Sequence, residues 1–484
     1  MPIENQQVCK LYTKFMFRKK YVILFVWIAI LSIQNAGAQN NVLTIKDAID
    51  SVVRNYGQIR FKKNLLQQAQ NNLDYSRLQA IPDLNLSAEN AYGTINNVNG
   101  PSFSLGSSGT ISSSGPVLPS QNWNAAFGGL YLANVNWNFF SFGKIKQGVK
   151  VSMANMDMDQ KDLDQETFQD EVKVCAAYLN LLGAQQLTRV AADNFNRAIT
   201  VKNAVLPRVL SGLNAGVDSS IAEAQASSAQ MAWTRAKDKE QELSNALIRL
   251  MATRDTSEPI LDTLFITKIP ENFLDSLNTY SSQHPVLQYY NSQILASEEQ
   301  EKYIHKQFFP TFNLFSTYQY KASGFKYGYG PTALDAYSAN YFTGVGSGKQ
   351  NYLIGIGASW NLSNPLRLRK LEQAQRNQTS ALQDIYEMND QQLNAQVALA
   401  NNKVKNALAN YYEIPKQLKA ASDAFLQKTV QYKNGLNTII DVQQALYLLN
   451  SAEIDKYITY NNVWQALLIK AAAVGDLNVF LRKL

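Results

Sequence analysis

The sequence states one structural plan twice, and this duplication constrains the fold more than any other feature. A helical pattern gives way to an alternating one at two prolines, and short motifs recur 223 positions apart. The matching positions are Pro82 and Pro310, 136–138 (NWN) and 359–361 (SWN), and 212–214 and 435–437 (both GLN). We therefore predict two structural repeats, 39–260 and 261–484, each with a helix, two strands and a long helical hairpin.

The N-terminus has the layout of a secretory signal peptide. Residues 18–20 are basic, 21–33 are apolar, and Ala36-Gly37-Ala38 fits a cleavage site. The alternative is a membrane anchor, but the apolar run is short for a span of about 20 residues. We predict that residues 1–38 are removed, whether translation starts at Met1 or at Met16.

Composition and cysteine usage exclude several functions. The net charge of +7 falls to +3 without residues 1–38, which contain five basic residues and one acidic residue, so no nucleic-acid partner is expected. Cleavage leaves Cys175 alone, which rules out an internal disulfide. His284 and His305 lack further ligands at metal-binding spacing. With no nucleophile–base pattern either, we expect no enzyme activity, no metal and no cofactor.

Four segments alternate between apolar and polar residues, as half-buried strands do. A soluble β-sandwich also has such strands, but the connections 93–122 and 321–351 are long for a compact domain. Long external loops are normal on transmembrane barrels, whose tilted strands need about 9–11 residues. A barrel with one lipid-facing apolar face is therefore favoured. The segments are 84–89, 134–139, 311–320 and 352–362, with Phe315 breaking the alternation.

Most of the remaining sequence predicts long helices with a narrow apolar stripe. The predicted helices of the two hairpins are 144–206 with 218–251, and 366–433 with 438–474. A run of about 60 residues spans on the order of 90 Å, so these helices must project from the membrane, which places them in the periplasm. Pro207 and Pro415 are expected to kink or locally unwind them.

Four strands leave two open edges, which hydrocarbon does not tolerate, so the working unit must be an oligomer. A dimer gives an eight-stranded barrel, whose interior would be filled by its own side chains, whereas a trimer gives a twelve-stranded barrel with an open lumen. We predict a mixed α + β membrane protein in which long antiparallel helical hairpins form an α-barrel. Four strands per chain would contribute to a trimeric 12-stranded transmembrane β-barrel.

The ordered segments resemble the TolC-type outer-membrane efflux proteins over nearly all of the mature chain. The segments that carry the resemblance are 43–49 (LTIKDAI) with 55–57 (NYG), 137–144 (WNFFSFGK), 171–179, 216–224 (GVDSSIAEA) and 432–442 (YKNGLNTIIDV). The resemblance implies a homotrimeric channel in the outer membrane of a Gram-negative bacterium, with a large periplasmic portion. It also implies a periplasmic adaptor and an inner-membrane transporter as partners, and outer-membrane lipid around the barrel.

The resemblance further implies a gate at the periplasmic hairpin tips. In the second hairpin the family's two acidic positions match Asp441 and Gln444, its basic position matches Asn437, and the neighbouring aromatic position matches Tyr432. In the first hairpin the acidic position falls on Ser220, with Asp218 close by. The side chains that form the closing bridge in the family are therefore replaced by residues of other chemical types. A ring of Asp441 side chains, one from each chain, is then the candidate gate.

The same tip residues also have plain structural interpretations. Asp441 completes a capping box with Thr438, and Asp218 could be a simple N-cap. Gly212 and Gly435 most simply permit the turns. Leu213 and Leu436, at matching repeat positions, are candidate contacts for the adaptor.

We predict an outer-membrane channel of a tripartite export system, a passive conduit for small molecules. Two alternatives stay open: a type I protein secretion exit duct, which the sequence does not distinguish, and a periplasmic coiled-coil scaffold without a pore.

Overall fold

The computed structural model of the chain describes residues 42–99, 113–253, 257–267, 269 and 283–481. The predicted signal peptide, 1–38, lies outside these residues. In chain order the elements are α1 (Ile45–Asn55), α2 (Gly57–Leu78), β1 (Asp83–Thr94), β2 (Ala125–Phe140), α3 (Lys144–Leu210), α4 (Gly216–Met251), α5 (Leu264–Thr267), α6 (Pro285–Lys306), β3 (Thr311–Ser323), α7 (Tyr341–Gly346), β4 (Gly348–Ser359), α8 (Asn364–Lys433), α9 (Ile439–Val474) and α10 (Asn478–Leu481).

The starts of the short helices follow from their capping residues. The sequence Thr44-Ile45-Lys46-Asp47 predicts a capping box at the start of α1. The structure confirms it, because the Thr44 hydroxyl accepts from the Asp47 amide at 3.2 Å and the Asp47 carboxylate accepts from Thr44 in return. In the second half, the side chain of His284 caps α6 by accepting from the Val286 amide at 3.2 Å. The imidazole Nε2 then donates to the Ala472 carbonyl at 3.1 Å, which ties α6 to the end of α9.

The helices α3 and α8 contain 67 and 70 residues, so each is on the order of 100 Å long. Both remain helical through Pro207 and Pro415, so of the two predicted effects local unwinding is wrong and a kink stays a prediction. Each proline removes a single backbone donor, and Pro207 lies in the last turn, where few helical bonds depend on it. No helix within the described part of the chain is both long and apolar enough to cross a membrane.

The main core lies where α1, α3, α9 and α10 meet. Trp464 packs edge-on against Phe265 with ring centroids 4.9 Å apart, and Phe480 of the C-terminal helix closes the cluster. Beside them the Tyr178 hydroxyl donates to the Leu43 carbonyl at 2.8 Å and accepts from the Asp262 amide at 3.0 Å. Burial raises the pKa of Tyr178 to about 12. The N-terminal segment is thereby fixed to the middle of α3.

The four strands form one antiparallel sheet in the order β1-β2-β3-β4. Its register separates two faces. The apolar face includes Leu86 and Ile354, whose side chains are 77% and 67% exposed in the single chain. The polar face has every charged residue of the four strands: Asp83, Glu89, Lys321 and Lys349. Within the described residues β1 and β4 each have one strand neighbour, so both edges of the sheet are open.

Phe315 breaks the predicted alternation because it lies on the polar face. Its register partner there is Gly355, and a Cβ atom built on that glycine would stand 2.6 Å from the Phe315 ring. Glycine therefore provides the space in which the aromatic ring lies flat on the sheet.

Candidate functional site

The two hairpins end in turns of the same geometry. Gly212 and Gly435 both have φ of 74°, and the residue after each glycine donates back across the turn. The Leu213 amide reaches the Arg208 carbonyl at 2.9 Å, and the Leu436 amide reaches the Gln431 carbonyl at 2.9 Å. This is the Schellman pattern of helix ends, in which a left-handed residue is normally glycine. The expectation that these glycines permit the turns agrees with this geometry.

The leucines after these glycines lie at the ends of the hairpins. A Schellman turn is often accompanied by packing of this residue onto its own helix. Here the side chains of Leu213 and Leu436 are instead 74% and 76% exposed. Each chain therefore presents two apolar side chains at repeat-related positions, free for contact with another protein.

The side chain of Arg208 joins the first hairpin to the second. Its Nε donates to the Asn214 side-chain oxygen at 3.2 Å, and its Nη1 donates to the Lys433 carbonyl at 3.1 Å. The guanidinium carbon also lies 5.3 Å from the centroid of the Tyr432 ring, within cation–π range. Arg208 thus contacts residues of both hairpins near their turns.

The Asn214 amide group completes the connection. Its Nδ2 donates to the Tyr432 hydroxyl at 3.1 Å and to the Asp218 carboxylate at 2.8 Å. Burial raises the pKa of Tyr432, and the positive charge of Arg208 partly opposes this shift, so the hydroxyl is neutral at physiological pH. We call Arg208, Asn214, Asp218 and Tyr432 the tip network; it is an intrachain clamp made of hydrogen bonds and one cation–π contact.

Asp441 belongs to a separate arrangement. Its Oδ2 accepts from the Thr438 hydroxyl at 2.7 Å, so the predicted capping box of α9 is confirmed. Its Oδ1 lies 3.5 Å from Nζ of Lys428. The hydrogen bonds from Thr438, assisted by Lys428, hold the pKa of Asp441 below its ordinary value. The carboxylate therefore stays charged while it caps the helix.

The repeat shows which tip residues correspond. Asp218 and Asp441 are both the third residue of their return helices, and Arg208 and Gln431 both bond to the asparagine six residues later. Within the repeat of this chain the counterpart of Asp441 is thus Asp218, and Ser220 is exposed two residues further along α4. Asp218 is also not the N-cap considered from the sequence. The N-cap is Ala215, whose methyl side chain accepts no hydrogen bond from the helix.

The remaining predicted residues lie apart from the tip network. Asn437 donates to the Gln431 side chain at 2.7 Å within its own turn, and Gln444 is exposed one turn into α9. The sequence-based interpretation missed Arg208, because its partner Tyr432 is 224 positions away. The sequence does contain one signal for its role, because Arg208 matches Gln431, 223 positions later, in the repeat.

The structure of the chain is similar to solved structures of outer-membrane channels. It matches the CmeC channel of Campylobacter jejuni (TM-score 0.72, 13% identity, 90% of this chain and 86% of that one). It also matches VceC of Vibrio cholerae (0.68, 17%, 89% and 96%) and the open MtrE channel of Neisseria gonorrhoeae (0.65, 17%, 89% and 89%). A comparison with curated proteins gives no significant match.

The family model described as "Outer membrane efflux protein" matches residues 49–253 and 278–469. The chain belongs to this family, and the resemblance read from the sequence is confirmed. The predicted combination of long helical hairpins with a four-stranded antiparallel sheet is confirmed as well.

Proposed function

We propose that three copies of this chain assemble into one channel through the outer membrane of a Gram-negative bacterium. Their twelve strands close a β-barrel, and their hairpins form a tunnel that extends into the periplasm. The channel is a passive conduit that takes small molecules from an inner-membrane transporter, or from the periplasm, to the exterior. It performs no chemistry of its own.

The observation that carries this proposal is the one-sided, open-edged sheet at the end of helices about 100 Å long. A face without charge suits lipid, and a face with all four charged residues suits water. Open edges in hydrocarbon leave backbone groups unsatisfied, and pairing β4 of one copy with β1 of the next removes both edges. The proposed repeats, 39–260 and 261–484, supply two strands and one hairpin each.

At the periplasmic end we propose that the tip network holds the two hairpins together in the resting state. Asp218 and Asp441 then contribute paired acidic positions around the opening, with Asn437, Gln444 and Ser220 nearby on the same turns and return helices. Leu213 and Leu436 are the proposed contacts for a periplasmic adaptor, through which the inner-membrane transporter is coupled.

Planar-bilayer recording of the purified protein tests the conduit. We expect the conductance to rise in steps of equal size, because each inserted trimer adds one complete barrel with one lumen. A preparation that is folded by circular dichroism but passes no current, even with the tip network disrupted by Arg208→Ala, would reject the pore and favour a scaffold.

A further inference from the structure

Two lysines face each other on the polar face of the sheet, at the end next to the long connections. Lys321 of β3 and Lys349 of β4 are direct register partners. Lys321 lies two residues before the end of β3, and Lys349 is the second residue of β4. Because α2, α3, α6 and α8 join the opposite ends of the strands, this pair lies at the outer mouth of the proposed barrel.

This placement is unfavourable for the sheet itself. Directly opposed residues in an antiparallel pair have Cβ atoms about 5 Å apart, and like charges there are destabilising. The salt bridges among the described residues include neither lysine, and both side chains are exposed. Across the same row Glu89 is separated from Lys321 by Leu130, which puts it two strands, or about 10 Å, away.

The surrounding charges do not cancel the pair. The connection 95–124 has no charged residue, and the connection 324–347 has one of each sign, Lys326 and Asp335. The other acidic residue of the polar face, Asp83, is at the opposite end of β1, six residues or about 20 Å from Glu89. The outer row of the polar face therefore has two lysines and one glutamate per chain, a net charge of +1, whereas the strands contribute only Asp83 at the inner end.

We propose that Lys321 and Lys349 form a ring of six positive charges that selects anionic solutes at the outer mouth of the channel. This inference rests on the trimeric barrel of the proposed function. The solute class it favours has carboxylate or phosphate groups, which two adjacent ammonium groups from one protomer can contact together. Both lysines are exposed, so water and salt screen the repulsion between them.

The size of the effect follows from simple electrostatics. In a trimer the six lysines and the three Glu89 carboxylates of the same row leave a net charge of +3. Placed about 10 Å from the axis, in water and screened over a Debye length of about 10 Å at 0.1 M salt, this charge enriches a monovalent anion about twofold at the axis. At 1 M salt the Debye length falls to about 3 Å, and the enrichment nearly disappears.

The test is the reversal potential of reconstituted channels under a KCl gradient. The double variant Lys321→Gln with Lys349→Gln should lower the anion-to-cation permeability ratio about 20-fold near 0.1 M salt, with little change at 1 M, because the six lost charges act about fivefold, and in opposite directions, on the anion and the cation. The double variant Lys321→Arg with Lys349→Arg should keep the native ratio, because it keeps the charge. Lys239→Gln removes the same kind of charge from α4, where it is paired with Glu242 at 2.6 Å, and should leave the ratio unchanged.

Three outcomes would overturn the inference. An unchanged ratio in conducting Gln variants would show that the lysines do not line the pore. An equal shift in Lys239→Gln would assign the effect to net charge. A shift that persists at 1 M salt would indicate altered pore shape. If native channels themselves fail to conduct, the proposed function fails first, so the two failures are distinguishable.

Discussion

The tip network makes a quantitative prediction about Arg208. Replacing it with alanine removes two contacts between the hairpins, the hydrogen bond to the Lys433 carbonyl at 3.1 Å and the cation–π contact with Tyr432 at 5.3 Å. It also removes the hydrogen bond to Asn214 at 3.2 Å, which lies within the first hairpin. A partly exposed hydrogen bond contributes about 1 kcal/mol, and an exposed cation–π contact about 0.5–1 kcal/mol. The connection between the hairpins thus loses about 1.5–2 kcal/mol per chain. If opening breaks both contacts, the closed-to-open ratio falls about 10- to 30-fold.

The assay is single-channel recording, and the measured quantity is the open probability at low voltage. We expect Arg208→Ala to be open much more often than the native channel, and Arg208→Lys to lie between them because it keeps a cation but loses the planar fork. The matched control is Gln431→Ala. It removes the repeat-equivalent bond to Asn437, which stays within one turn. Equal open probabilities for Arg208→Ala and Gln431→Ala would refute the clamp.

Three further predictions concern other parts of the chain. Asp441→Asn should weaken block by divalent cations, whereas Thr438→Ala, which removes only the cap, should cost about 1 kcal/mol of stability and leave block intact; equal block in both would leave Asp441 a capping role alone. Burial lowers the pKa of His284 below 6.5, so its contribution to stability is complete above that pH and is lost as pH falls through the lowered value; thermal unfolding should show this loss, which His284→Gln abolishes and His305→Gln does not. Phe480→Ala should cost about 3–5 kcal/mol because the ring is fully buried, while Leu436→Ala should leave stability unchanged but weaken adaptor binding in a pull-down assay; the reverse pattern would contradict the assignment of core and tip.

Local sequence rules predicted the elements whose stability is local. The threonine caps at Thr44 and Thr438, the glycines of both turns and the alternation in the strands each depend on neighbouring residues. Pro82 likewise marks the boundary after α2, which ends at Leu78. These features predicted the bounds of the long helices to within a few residues, but β1 extends five residues beyond its predicted end, to Thr94, and β2 begins nine residues before its predicted start, at Ala125.

Features that depend on distant contacts could not be predicted in this way. Arg208 acts through a tyrosine of the other hairpin, so nothing beside it in the sequence indicates its role. The short helix α7 was missed because it forms against the sheet: a Cβ atom at Gly344 would stand 2.5 Å from the Phe127 carbonyl oxygen. Asp218 was assigned to the wrong cap position, because only the structure shows that α4 begins at Gly216.

The native mass of the detergent-solubilised protein tests the central claim most directly, because the described part of one chain has a four-stranded sheet with two unpaired edges. Light scattering, corrected for bound detergent, should give the mass of three mature chains. A stable, folded monomer whose sheet edges are protected from hydrogen exchange would contradict the account.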